Sequence, residues 1–185
     1  DEDSKTTTSK YIKPIKIDER IESKHLEFKE NIINIENNIL TYFGDIDYVK
    51  YCILQRFYFD YQIKIVGNVK LDNCNLKEIS VKFLEVTGNF NIQENPFVFL
   101  NNLPRYIYGL LYLDNSSIRH ITEFNFPLFI NRILIMDVSG EVYDSFKKYL
   151  NNFSNTKINE IIKEESWNKD LGRCRFIPLH LRYSL

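Results

Sequence analysis

Between residues 63 and 140, apolar and polar positions alternate in a pattern that returns at a fixed interval. In VGNVKLDNCNL, residues 66 to 76, apolar side chains stand at Val69 and Leu71, then at Cys74 and Leu76. Alternation of this kind turns one strand face inward and leaves the other facing water. The following segment repeats it with Phe90 and Ile92, then Asn95 and Phe97. The next has Leu111 and Leu113, then Ser116 and Ile118. One further apolar residue follows each time, at Ile79, Leu100 and Ile121. Gly67, Gly88 and Gly109 precede these segments at intervals of 21 residues. Such an interval is the mark of stacked repeats. A fourth segment, Leu134 and Met136 with Ser139, fits after a two-residue insertion, and the pattern then fades at Gly140.

The flanks read differently. Residues 1–22 are polar and lack a period, as expected of an arm or tail. From Lys24 to Phe43, apolar residues at Phe28, Ile32, Ile35, Ile39 and Phe43 recur at helical steps, which predicts an amphipathic helix. Gly44 would end it and Asp45 would cap a second helix carrying Ile46, Val49, Ile53 and Phe57. After Gly140, Val142, Phe146, Tyr149 and Leu150 predict another helix, and Ile158, Ile161 and Ile162 a shorter one. Stacked repeats need covered ends, because each repeat alone leaves apolar surface exposed. The expected organisation is an arm at 1–22, a helical N-terminal cap at 23–62, a repeat region at 63–140, and a helical C-terminal cap with a basic tail at 141–185.

The segments at 63–140 resemble the leucine-rich repeat, L-x-x-L-x-L-x-x-N/C-x-L, at its short end. Leu103-Pro104-Arg105-Tyr106-Ile107 and Phe126-Pro127-Leu128-Phe129-Ile130 look like the Leu-Pro step of short bacterial-type repeats. Ser116 and Ser139 depart from the Asn or Cys of the motif. The resemblance implies an α/β class fold: a short leucine-rich-repeat-like solenoid of about four rungs with an N-terminal helical cap and a C-terminal helical segment. A buried Asn at the motif's Asn position would satisfy loop backbone groups, and Cys74 at the same position reads as structural.

Strand alternation also predicts the outward face. It comprises Asn68, Lys70 and Asp72; Asn89, Asn91 and Gln93; Leu110, Tyr112 and Asp114; and Ile133, Ile135 and Asp137. The face turns from polar to apolar along the stack. Leu110, Tyr112, Ile133 and Ile135 form an apolar patch with two readings: anchors of a protein-binding surface, with Lys70 and Asn91 as polar contacts, or a face that lies under the chain's own terminal arm or C-terminal segment. Asp72, Asp114 and Asp137 are read as strand-end carboxylates rather than cation ligands.

Composition narrows the function classes. Apolar residues make up 44% and charged residues 26%, with a formal net charge of -1. No global field therefore favours nucleic acid or an anionic membrane. No apolar run is long enough to span a bilayer as a helix. Three cysteines without CxxC spacing favour a reducing compartment or a virion over secretion. The chain contains no alanine but abundant Ile, Asn, Lys, Phe and Tyr, which points to an AT-rich genome such as that of a phage, a large DNA virus or a parasite. His25, His120 and His180 are scattered. With no Walker-type loop, GxSxG or HExxH, the sequence suggests no cofactor, no metal and no catalytic residue. Arg173, Arg175 and Arg182 with nearby aromatics are the candidates for nucleic-acid contact, a disfavoured reading.

The sequence thus suggests a non-catalytic protein–protein interaction module, as a structural component of a phage or large-virus particle. Its partner would be itself, a particle protein or a host protein. The alternatives are a binder that disables a host protein, a nuclease-like enzyme using His180, Arg182 and a distant carboxylate, and a nucleic-acid-binding protein using the basic tail.

Overall fold

The structure is a computed structural model that describes residues 17–125, 127–151, 156–168 and 173–176. The fold is mixed α/β with a mostly parallel sheet and few helices. The strands are β1 (Ile32–Glu36), β2 (Ile39–Phe43), β3 (Gln62–Val66), β4 (Val69–Lys70), β5 (Phe83–Val86), β6 (Phe90–Asn91), β7 (Phe99–Leu100), β8 (Tyr106–Asp114), β9 (Glu123–Phe124), β10 (Phe129–Met136), β11 (Lys157–Asn168) and β12 (Arg173–Phe176). The helices are α1 (Ile17–Glu30), α2 (Tyr48–Phe57), α3 (Asn115–Ile118) and α4 (Gly140–Asn151). The main sheet runs β1-β2-β3-β5-β8-β10-β11-β12, with β4 and β6 extending β3 and β5 alongside β8. A small parallel pair, β7 and β9, forms a separate sheet.

Two rows of buried side chains thread the parallel strands. Tyr42, Ile65, Val86, Ile107, Ile130 and Ile158 stand in register on six successive strands. Ile46, Val69, Phe90, Leu111, Ile133 and Ile161 make the second row. All twelve are buried. Each strand covers its neighbour's apolar side chain at the same height, so the core is continuous along the stack. The inward positions expected at Val69, Leu71, Phe90, Ile92, Leu111 and Leu113 are all fully buried.

A column of glycines lets the strands approach at the bend between β3 and β4 and its equivalents. A Cβ on Gly67 would overlap the carbonyl oxygen of Gly44; one on Gly88, that of Gly67; one on Gly109, that of Gly88. Gly88 N donates to Gly67 O at 2.9 Å, and Gly109 N to Gly88 O at 3.0 Å. Gly44 therefore opens the column, 23 residues before Gly67. Beside it runs a second column. Asp45 Oδ1 accepts from Asn68 N at 2.9 Å, Asn68 Oδ1 from Asn89 N at 2.8 Å, and Asn89 Oδ1 from Leu110 N at 2.9 Å. Each side-chain oxygen satisfies a backbone donor of the next strand that the bend would otherwise strand.

Asn95 performs the loop-satisfying role expected of it. Fully buried, it donates through Nδ2 to the carbonyls of Leu71, Ile92 and Gln93 and accepts through Oδ1 from Cys74 N and Leu76 N. Ser116 does not take the equivalent place one segment on. It is exposed, and Asp114 and Ser117 form a capping box that starts α3 there.

The flanks differ from expectation at four points, the first being that α1 begins at Ile17, inside the stretch expected as an arm. The predicted helix over 24–43 ends at Glu30, and a β1–β2 hairpin follows. Asn37 and Asn38 both adopt positive φ, 51° and 63°, the conformation of a two-residue hairpin turn. The β-branched Ile32, Ile33, Ile35 and Ile39 favour strand over helix. Asp45 does not cap a helix; Asp47 caps α2, accepting from Lys50 N at 2.9 Å. α4 forms as expected, burying Tyr143, Phe146 and Leu150, but Ile158, Ile161 and Ile162 lie in β11 rather than a helix. The β10–α4–β11 unit adds a further parallel strand, for which a helical crossover supplies the needed length.

Candidate interaction face

The outward face of the main sheet is set by the residues between the buried rows. On β8, Ile107, Leu111 and Leu113 point into the core, so Tyr106, Tyr108, Leu110 and Tyr112 face outward. Tyr106 and Tyr108 lie parallel with ring centroids 6.4 Å apart, and Tyr108 meets the Phe129 ring at 5.6 Å. Tyr108 is 45% exposed, and Tyr106, Leu110, Tyr112 and Phe129 are half-buried.

Ile133 and Ile135 do not belong to this face. Both are completely buried, at 0% exposure, and pair with Leu111 and Leu113 of the core rows. The expected two-residue insertion is a single residue, because the register between β8 and β10 shifts between Ile130 and Arg132. That one-residue slip exchanges the faces. Leu134 takes the outward position between Tyr112 and Ile162, and its flanking side chains leave it only 8% exposed. The apolar patch therefore comprises Tyr106, Tyr108, Leu110, Tyr112, Phe129 and Leu134.

The first half of the same face is polar and internally paired. Lys64 lies 3.7 Å from Glu85, and Lys70 Nζ lies 3.1 Å from Asp45 Oδ2. The backbone bond from Asn68, then the bond from Lys70, hold the Asp45 carboxyl below its usual range. Lys70 is exposed, as a polar contact requires. Asn91 is half-buried and directs Oδ1 to Gln93 N at 3.0 Å, so it shapes the strand-end loop. The face passes from hydrogen-bonded and charged on β3–β6 to aromatic and aliphatic on β8–β10.

The other candidate positions divide clearly. Asp114 turns inward, accepting from Ser117 N and Glu94 N. Among the described residues, no three His, Cys, Asp or Glu side chains gather as a metal site. Cys74 is half-buried, donates to Asp72 O at 3.2 Å, and has its thiol pKa raised chiefly by burial. His25 stacks on Phe57 at 3.8 Å and bonds Tyr58 Oη at 3.0 Å through Nε2, while burial, then Lys29, lower its pKa. Arg173 and Arg175 lie on β12, but their side chains, like Arg182 and His180, fall outside the described residues. Sequence reasoning missed Tyr106, Tyr108 and Phe129. The even spacing 106-108-110-112 was the signal available for the two tyrosines. No described helix is long and apolar enough to cross a membrane. Comparison with known protein families, curated proteins and solved structures returns no match.

Proposed function

We propose that this chain is a short leucine-rich-repeat-like solenoid acting as a non-catalytic protein-binding module. Its outward β8–β10 face is the binding surface. The observation that carries this reading is the run of Tyr106, Tyr108, Leu110 and Tyr112 on one strand face, extended by Phe129 on the next. Tyrosine offers a large, stiff, amphipathic contact at low entropic cost, and contiguous apolar patches with aromatic members mark interaction sites. The parallel ladder beneath holds these rings in fixed register, so a partner would meet a preorganised surface. Lys70, at the polar end, is placed as a rim contact, and Leu110 and Tyr112 as central anchors.

The test is affinity capture from the native source with wild type and a Tyr108→Asp/Tyr112→Asp variant. A folded variant that loses a specific, saturable protein partner supports the reading. A folded variant that keeps every partner removes this face from consideration.

A further inference from the structure

A second surface carries a different chemistry. Where the parallel strands begin, an open cleft of about 650 Å³ lies between the starts of β3, β5, β8 and β10 and the loops before them. Lys82 and Arg105, each immediately preceding its strand, line it, together with Gln62, Asn101 and Asn125. Both cations are exposed, and neither has an ion-pair partner among the described residues. Among the described residues, no carboxylate lines the cleft. The nearby acids, Glu78 and Glu123, line a separate cleft that shares Asn101 and Asn102 as its wall. Asn101 Nδ2 donates to Glu123 Oε2 at 2.8 Å, and Asn102 Nδ2 to Ile79 O at 2.9 Å, so both carboxamides are held in place. Positive and negative groups are thus sorted to opposite sides of an amide ridge on a chain of net charge -1.

We propose that this cleft binds an acidic saccharide. Its volume falls in the range of small-ligand sites. Two unpaired cations match a carboxylate or sulfate. Carboxamide tips carry a donor and an acceptor side by side, matching neighbouring hydroxyls that both give and accept hydrogen bonds. Exposed Leu128 beside Pro127 offers an apolar surface for a ring's C–H face. An acidic peptide fits less well. The carbonyls of both cations are already paired, Lys82 O accepting from Ile63 N and Arg105 O from Leu128 N and Phe129 N, so among the described residues these strand starts offer no open edge for strand addition.

The experiment is amide NMR titration of the whole chain at low salt with a tetrasaccharide of alternating glucuronate and N-acetylglucosamine. A neutral N-acetylglucosamine tetrasaccharide and a Glu-rich hexapeptide serve as comparisons. Expected are saturable shifts at the amides of Lys82, Arg105 and Asn125, and affinity for the acidic saccharide about tenfold above the neutral one. Lys82→Gln/Arg105→Gln, both at exposed positions, should weaken binding about tenfold while leaving other amides unmoved. The proposal is overturned by no shift up to about 10 mM ligand, by equal affinity for the two saccharides, by unchanged binding of the variant, or by tighter binding of the hexapeptide at the same amides.

Discussion

The middle of the molecule and its two ends are built on the same buried rows but by different local rules. From β3 to β8, each strand repeats its predecessor closely. Gly67, Gly88 and Gly109 stack, Asn68 and Asn89 pass a hydrogen bond forward, and Asn95 ties two successive loops together. At the N-terminal end, an antiparallel hairpin and α1 cover the row that Tyr42 begins, with Phe28 stacked on Tyr42 at 4.3 Å. At the C-terminal end, α4 replaces the loops that cross behind the middle strands. The middle is held by repeated polar columns around an apolar core, whereas the ends are held chiefly by apolar packing. Substitutions should therefore be felt differently in the two regions.

Among the polar columns and the glycines, the largest effect is expected at Asn95. Asn95→Ala leaves three carbonyls and two N–H groups in or near the core without their partner and should cost at least about 3 kcal/mol, read by urea denaturation. Gly88→Ala comes next, because its Cβ would overlap both the Gly67 carbonyl oxygen and the Asn68 carboxamide, which is itself held by its bond from Asn89 N; about 2–3 kcal/mol is expected in the same assay. Gly140→Ala, at the helical end, meets nothing within 4 Å and should be neutral or slightly stabilising. A cost at Gly140 equal to that at Gly88 would erase the distinction between middle and end. Asn68→Ala removes one link of the polar column and should cost about 1 kcal/mol.

A small effect of another kind is the pH dependence of the N-terminal end. The folded pKa of His25 is depressed, chiefly by burial. Its neutral form is favoured by folding, so its contribution is present above the ordinary imidazole range and is lost as pH falls through the lowered folded value. Unfolding measured from neutral to mildly acidic pH should show a shallower loss for His25→Gln than for wild type. Identical slopes would mean that the His25–Phe57–Tyr58 contact does not sense protonation.

The same contrast explains what could be read from the sequence. The middle was legible because its 21-residue glycine spacing and strict alternation agree, so Val69, Leu71, Phe90, Ile92, Leu111 and Leu113 were all placed inward. Gly44-Asp45 belongs to the same columns, but its 23-residue offset hid it and its residue types also suit a helix end. Ile32, Ile35 and Ile39 fit both a helical face and a pair of β-strands; the Asn37-Asn38 turn decides between them, and only its positive φ angles reveal it. In Ile133-Leu134-Ile135-Met136 every position is apolar, so alternation carries no information about the face. Pairing with β8 sets it, through a register shift that spacing alone could not reveal. The outward patch was therefore correctly placed at Leu110 and Tyr112 and misplaced by one residue on the neighbouring strand.

The most direct test is the unfolding free energy of Tyr112→Asp set beside that of Ile135→Asp. An outward Tyr112 should accept the carboxylate with a loss of about 1 kcal/mol. A fully buried Ile135 should not, and its variant should lose more than about 4 kcal/mol or fail to fold. The reverse order, or equal losses, would contradict the assigned register and with it the proposed binding face.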